Sequence, residues 1–221
     1  MKWNLPNILT VMRLAAAPGV AIMFLYFNRP VADWFALVLF VLAAATDFFD
    51  GYLARRWGQE SRFGTMLDPI ADKAMVIIAL LVITGFSGMN PWILLPATLI
   101  MFREVFVSGL REFLGAEAGK LAVTKLAKWK TTAQMVAIAV LFSTGAFEHY
   151  FGMQSWGMDQ QMVDDILSGA VADELGLVWK YWGMIISWYA GVGLLWLATL
   201  LTLLTGFDYF RKALPYLRGP K

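Results

Sequence analysis

Six long apolar stretches, at about residues 7–27, 32–56, 67–86, 91–113, 127–147 and 178–206, constrain this chain more than any other feature. Each is close to the roughly 17–25 residues that a helix needs to cross the hydrocarbon of a bilayer. They are continuous rather than alternating at every second residue, which predicts helices and not the strands of a membrane barrel. Composition agrees: 59% of residues are hydrophobic and 15% charged, against about 45–50% and about 25% in a soluble domain. The expected fold is an all-α integral membrane protein, a single domain over residues 1–221 with six transmembrane helices. Pro30, the Gly85–Pro91 stretch and the glycines around 145–157 punctuate the runs. Ala15-Ala16-Ala17 resembles a signal-peptide cleavage site, but the apolar run follows it, so the first stretch is read as a retained span.

Basic residues set the orientation. With the N-terminus inside, only Arg29 and Lys180 of the 18 Lys and Arg fall on the outer side. The 147–177 stretch carries Glu148, Asp159, Asp164, Asp165, Asp173 and Glu174 and is predicted to be an acidic extracytoplasmic loop. A short amphipathic helix is expected over 159–176. Both termini are expected in the cytoplasm. The aromatic residues of the last span, Trp179, Tyr181, Trp182, Trp188, Tyr189 and Trp196, read as interface belt and packing.

Four aspartates interrupt this apolar sequence. Asp47 and Asp50 lie three apart near the inner end of the second span, and Asp68 and Asp72 lie four apart near the start of the third. Either spacing places a pair on one helix face, and a short inner loop brings the two helix ends together. A carboxylate in hydrocarbon costs on the order of 3 kcal/mol, so four of them require neutralisation. Two divalent cations would supply it, since Mg²⁺ and Mn²⁺ prefer oxygen ligands and paired metals clamp phosphoryl groups. Other chemistry has little material. There is no cysteine, and the one histidine, His149, is predicted to lie in a polar loop. Serine and cysteine hydrolase mechanisms therefore lack their usual base. Gly51, Gly64 and Ala54 keep the surface near the aspartates small, and Arg55 offers a planar fork suited to phosphate.

The string Asp47-x2-Asp50-Gly51-x2-Ala54-Arg55-x8-Gly64-x3-Asp68-x3-Asp72 resembles the signature of the CDP-alcohol phosphotransferase family, with all eight specified positions in place over 26 residues. The resemblance implies a six-helix enzyme of the bacterial cytoplasmic (inner) membrane, with its active site facing the cytoplasm. Such enzymes move a phosphatidyl group from a CDP-linked lipid to an alcohol and release CMP. By the family pattern, Asp47, Asp50 and Asp68 hold one metal ion, Asp72 contributes to a second, and Asp72 is also the general base. Gly51, Ala54, Arg55 and Gly64 would contact the CDP moiety. The resemblance further implies two Mg²⁺ (or Mn²⁺) ions per site and a homodimer. Membrane lipids are expected neighbours, and no nucleic-acid partner is expected.

The acceptor is read from the fourth and fifth spans. Arg103 and Glu104 sit within an apolar run, and Arg111 lies eight residues on, about two helical turns. Lys125, Lys128 and Lys130 precede Thr131-Thr132-Ala133-Gln134. Cations gathered beside a diphosphate site favour an anionic acceptor over choline or ethanolamine. Arg103 beside Glu104 also reads as a structural ion pair, because buried charges must be paired.

Further resemblance extends over roughly residues 3–145. Asn4-Leu5-Pro6-Asn7-x2-Thr10-x2-Arg13, Leu67-Asp68-Pro69-Ile70-Ala71-Asp72-Lys73, Arg103-Glu104 and Lys128-Trp129-Lys130-Thr131-Thr132-x-Gln134 are similar to one bacterial branch of the family. In that branch CDP-diacylglycerol is the donor and sn-glycerol 3-phosphate the acceptor. The resemblance implies that Arg103, Arg111, Lys128 and Lys130 grip the acceptor phosphate. Asn7, Thr10 and Arg13 would line the mouth, near the donor headgroup or the acceptor phosphate. Inositol phosphate remains compatible with the cations, and serine is disfavoured. A metal-ion or phosphate transporter would place charges along a path through the bilayer, whereas these collect at the inner helix ends.

Overall fold

A computed structural model of the chain describes residues 4–57, 61–120 and 125–217; the side chains of residues 6, 47–57, 116, 120, 125, 127 and 128 lie outside the description. The helices are α1 (Leu5–Tyr26), α2 (Val31–Trp57), α3 (Arg62–Phe86), α4 (Pro91–Leu114), α5 (Lys125–Gln154), α6 (Gln160–Ser168) and α7 (Leu177–Leu217). A short 3-10 segment, Gly115–Lys120, links α4 towards α5. No strand occurs among the described residues. Four helical stretches are long and apolar enough to cross a membrane: Asn7–Tyr26, Pro91–Leu114, Trp129–Gln154 and Leu177–Leu217; Val31–Thr46 of α2 is a shorter apolar run. The chain is an all-helical membrane protein.

Local chemistry sets the helix ends. Asn4 caps α1 and Asn90 caps α4, each accepting a backbone N–H of the first turn. Asp159 caps α6 in the same way, and Gly169, at φ 82°, terminates it. This stop comes well before residue 176, so the amphipathic helix is shorter than the sequence suggests. α5 continues through Gln154, and residues 147–154, His149 among them, are helical rather than loop. α7 extends beyond residue 206 to Leu217 because Tyr209 and Ala213 pack with Leu110, Leu114 and Ala118 in a small satellite core. At the start of α7, Asp173 accepts the N–H groups of Leu177 (2.7 Å) and Val178 (2.9 Å).

Two groups of helices make the bundle. α1 packs on α2 and α3, while α7 packs on α5 and α4; α2–α5, α3–α4 and α3–α5 contacts join the groups. The interior combines alanines with large residues: Ala17, Ala36, Ala79 and Ala137 lie fully buried beside Phe40, Leu80, Ile138 and Leu195. Small residues matter here because lipid supplies little hydrophobic drive, so helices associate through close van der Waals packing. Gly191 is one such contact; a Cβ there would lie 2.7 Å from Leu141 of α5. Large apolar residues such as Phe102, Val105, Phe113 and Phe207 face outward, as a lipid-facing surface requires.

Candidate active site

The site is organised where α1 runs alongside α3. Ser61 caps α3: its Oγ accepts the Gly64 N–H at 3.0 Å and donates to Asn7 Oδ1 at 2.6 Å. The Asn7 N–H in turn donates to Asn4 Oδ1 at 3.1 Å. α3 passes Asn7 at Gly64, where a Cβ would stand 2.9 Å from Asn7 Oδ1. The two helix starts are thereby tied together.

From that tie the helices run in the same direction, and successive turns face each other. Thr10 Oγ1 donates to Asp68 Oδ1 at 2.7 Å, and Arg13 Nη1 donates to Asp72 Oδ1 at 3.0 Å. A three-residue row on α1 (Asn7, Thr10, Arg13) thus meets a four-residue row on α3 (Gly64, Asp68, Asp72), the pairing of ridges that gives a shallow helix crossing. The three α1 side chains are buried, while Asp68 and Asp72 are half-buried. Both carboxylates are therefore oriented from one side by α1. The sequence places Thr10 and Arg13 at the mouth of the site; the geometry puts them directly on the carboxylates. Ser61 escaped the sequence reading, although Ser-x2-Gly before an apolar run is a recognisable cap.

Asp47, Asp50, Gly51, Ala54 and Arg55 lie on the last turns of α2, and their side chains, like that of Lys128, lie outside the described residues. Among the described residues no group of three acidic or histidine side chains is placed to hold a metal.

A second cluster surrounds Glu104. This carboxylate is only 8% exposed. It accepts from Arg103 Nη1 at 3.1 Å and makes a very short contact with Lys130 Nζ. Lys73 Nζ bonds Ser108 Oγ, which donates to the Glu104 carbonyl at 2.6 Å. Arg103 Nη2 reaches Thr205 Oγ1 of α7 at 3.4 Å, and its stem lies on Gly206, where a Cβ would be 2.9 Å from Arg103 Cγ. Two cations thus pair with one carboxylate and a third, Lys73 of α3, joins through Ser108, an excess of positive charge next to α3. Arg103 and Lys130 come together as the sequence suggests. Arg111 stands apart, exposed, with its guanidinium 5.8 Å over the Tyr209 ring. The sequence reading pairs Glu104 with Arg103 alone; that Glu104 also takes Lys130, and that Lys73 joins the cluster through Ser108, is not read from it. Nothing in their spacing marks that convergence, which needs α3, α4 and α5 side by side.

Comparison with known proteins agrees with this geometry. A family model described as CDP-alcohol phosphatidyltransferase matches residues 3–204. A protein of Cereibacter sphaeroides is 64% identical over 221 residues, covering all of both chains; it is named CDP-diacylglycerol–glycerol-3-phosphate 3-phosphatidyltransferase. Proteins of the same name from Rickettsia bellii and Escherichia coli are 38% and 42% identical, covering 96% and 69% of this chain and 97% and 85% of their own. The matched region contains the α1–α3 carboxylate row and the cluster around Glu104, and the chain belongs to the CDP-alcohol phosphatidyltransferase family.

Proposed function

We infer that this protein transfers the phosphatidyl group of CDP-diacylglycerol to sn-glycerol 3-phosphate, giving phosphatidylglycerophosphate and CMP. The observation that carries this reading is the 64% identity, over both full lengths, to a protein named for that reaction. The site supports it independently, with oriented carboxylates on α3 and a cationic cluster on α4 and α5 that joins α3 through Lys73.

The acceptor phosphate binds at Arg103 and Lys130, with Lys128 and Arg111 contributing from the same end of the bundle. Arg103 Nε is enclosed without a hydrogen-bond partner, which suits a site awaiting an anion. The donor's CDP moiety lies along Gly51, Ala54, Arg55 and Gly64, near Asn7 and Thr10. Asp72, oriented by Arg13, takes the proton as the acceptor hydroxyl attacks the phosphatidyl phosphorus. One P–O bond forms, the P–O bond to CMP breaks, and CMP leaves with the electron pair. No covalent enzyme intermediate is required. The donor set is all oxygen and the family is generally divalent-metal dependent, so the residues fit a hard cation. Asp47, Asp50, Asp68 and Asp72 would hold two Mg²⁺ or Mn²⁺ ions, whose chemistry is to neutralise the diphosphate and the leaving group.

In the membrane, α1–α5 and α7 provide six spans. Both termini and the site face the cytoplasm of the inner membrane, and the 155–176 segment lies outside. The same exposed apolar surfaces that meet lipid offer α4 or α7 as a homodimer face.

The test is CMP release by the purified protein with CDP-diacylglycerol and Mg²⁺, supplying glycerol 3-phosphate, inositol phosphate, inositol or serine in parallel. Release with glycerol 3-phosphate alone, abolished by EDTA, is the expected result. Release with a different acceptor would overturn the acceptor assignment and leave the phosphatidyl transfer standing.

A further inference from the structure

At the end of the bundle opposite Asp68 and Asp72 lies a cavity of about 390 Å³ between α1, α2, α3, α5 and α7. Phe86, at its rim, is fourteen residues beyond Asp72 on α3, a separation of about 20 Å. The volume falls within the range of about 300–1,000 Å³ typical of small-ligand sites. Phe24, Phe142 and Trp188 form an apolar interior, with Phe142 only 3% exposed at the floor. The polar groups collect at one edge. Arg29 bonds Asp33 at 2.9 Å, while its Nη1 stands 3.7 Å from Glu148 Oε2, too far for a hydrogen bond between Arg29 and Glu148. The guanidinium also lies 5.3 Å over the Phe86 ring. Gly145 allows this cluster to seat on α5, since a Cβ there would meet Asp33 Oδ1 at 2.3 Å and Arg29 Nη2 at 2.4 Å.

An apolar interior with a charged edge is the shape of an amphiphile site, and the charges choose the amphiphile. Asp33 is 1% exposed and already bonded to Arg29, whereas the Glu148 side chain is 64% exposed and holds no hydrogen bond to the arginine. The three groups sum to one net negative charge. A purely anionic headgroup would meet that charge unfavourably. A headgroup carrying both a phosphate and an ammonium matches it, with the phosphate on Arg29 and the ammonium on Glu148 and the aromatic rim. We propose that this cavity binds a zwitterionic phospholipid, taking an acyl chain between Phe24, Phe142 and Trp188 and its headgroup between Arg29 and Glu148. Ethanolamine and choline headgroups share this chemistry. Ethanolamine adds N–H donors for Glu148, and choline relies on the ring faces.

Native mass spectrometry of the whole protein released from detergent tests the site. Phosphatidylethanolamine, phosphatidylcholine and phosphatidylglycerol with identical acyl chains are titrated onto wild type, Glu148→Gln and Glu148→Lys. Glu148 is exposed, so neither substitution threatens the fold. The expected result is tighter retention of one or both zwitterionic lipids than of phosphatidylglycerol. Glu148→Gln should weaken that retention by about tenfold, the scale of one charge-assisted hydrogen bond. Glu148→Lys should turn the preference towards phosphatidylglycerol. Whichever zwitterionic lipid is held better identifies the source. Equal retention of all three by wild type, or affinities unmoved by Glu148→Lys, would overturn the proposal.

Discussion

Thr10 commits its one hydroxyl proton to Asp68, and Arg13 commits a guanidinium N–H to Asp72. Each carboxylate is thus aimed by a buried residue of another helix, the kind of support that usually matters as much as the ligand itself. Glu104 does the corresponding work for the cations. With its carboxylate gone, Arg103 and Lys130 lose their common anchor while keeping their charge. Glu104→Gln should therefore raise the KM for glycerol 3-phosphate by about tenfold, a misplacement cost of the kind seen when a binding group loses its support, and leave the KM for CDP-diacylglycerol nearly unchanged. Steady-state kinetics with each substrate varied checks it; an equal rise in both constants would contradict a role confined to the acceptor. At this scale the shared face of Asp68 and Asp72 was legible in the sequence, since a four-residue spacing places both on one side of a helix; the side chains of Asp47 and Asp50 lie outside the described residues. The partners of Asp68 and Asp72 were not, because Thr10 and Arg13 lie more than fifty residues away and meet them only through helix packing.

Helix starts and helix contacts carry the next level of organisation. α7 begins on Asp173, whose carboxyl is held below the usual carboxylate range, chiefly by the backbone N–H of Val178 and then by that of Leu177. A depressed pKa of this kind contributes stability above the unfolded value of about 3.9 and loses it as pH falls through the folded value. Hydrogen exchange of the 173–182 peptide, corrected for intrinsic rates, should thus accelerate only as pH drops below about 4. In Asp173→Ala the peptide should exchange fast throughout. Gly191 tests the packing of α5 on α7: Gly191→Ala pushes a methyl into Leu141 and should destabilise the protein by about 1–3 kcal/mol, the usual range for overpacking. A melting temperature in detergent unchanged from wild type would show that Leu141 repacks freely. Apolar length foretold where helices lie but not where they stop. α5 overruns residue 147 because nothing breaks it before Ser155, and α6 stops at Gly169 because only a left-handed residue ends it there. Neither stop is a matter of hydropathy.

For the whole molecule, the distribution of charge and the two opposed sites give one consistent picture. The α3 carboxylates and the cations around Glu104 gather at one end, and the Arg29–Glu148 cavity lies at the other. The topology is directly testable because the chain has no cysteine of its own. Ser168→Cys, at the end of α6 within the acidic segment, should react with a membrane-impermeant maleimide on intact spheroplasts. Gly119→Cys, in the exposed 3-10 segment where a Cβ meets nothing within 4 Å, should react only after permeabilisation. The reverse pattern would invert the protein in the membrane. The basic bias of the sequence predicts this orientation, whereas the distant cavity has no sequence signature, since its lining comes from five separate helices.

In the proposed mechanism Asp72, held by Arg13 in the first half of α3, removes the acceptor proton during phosphatidyl transfer. The most direct measurement compares wild type with Asp72→Asn for CMP release and for Mg²⁺-dependent binding of CDP-diacylglycerol in the same preparation. Release is expected to fall below detection while lipid binding stays largely intact. Release at the wild-type rate by Asp72→Asn would contradict it.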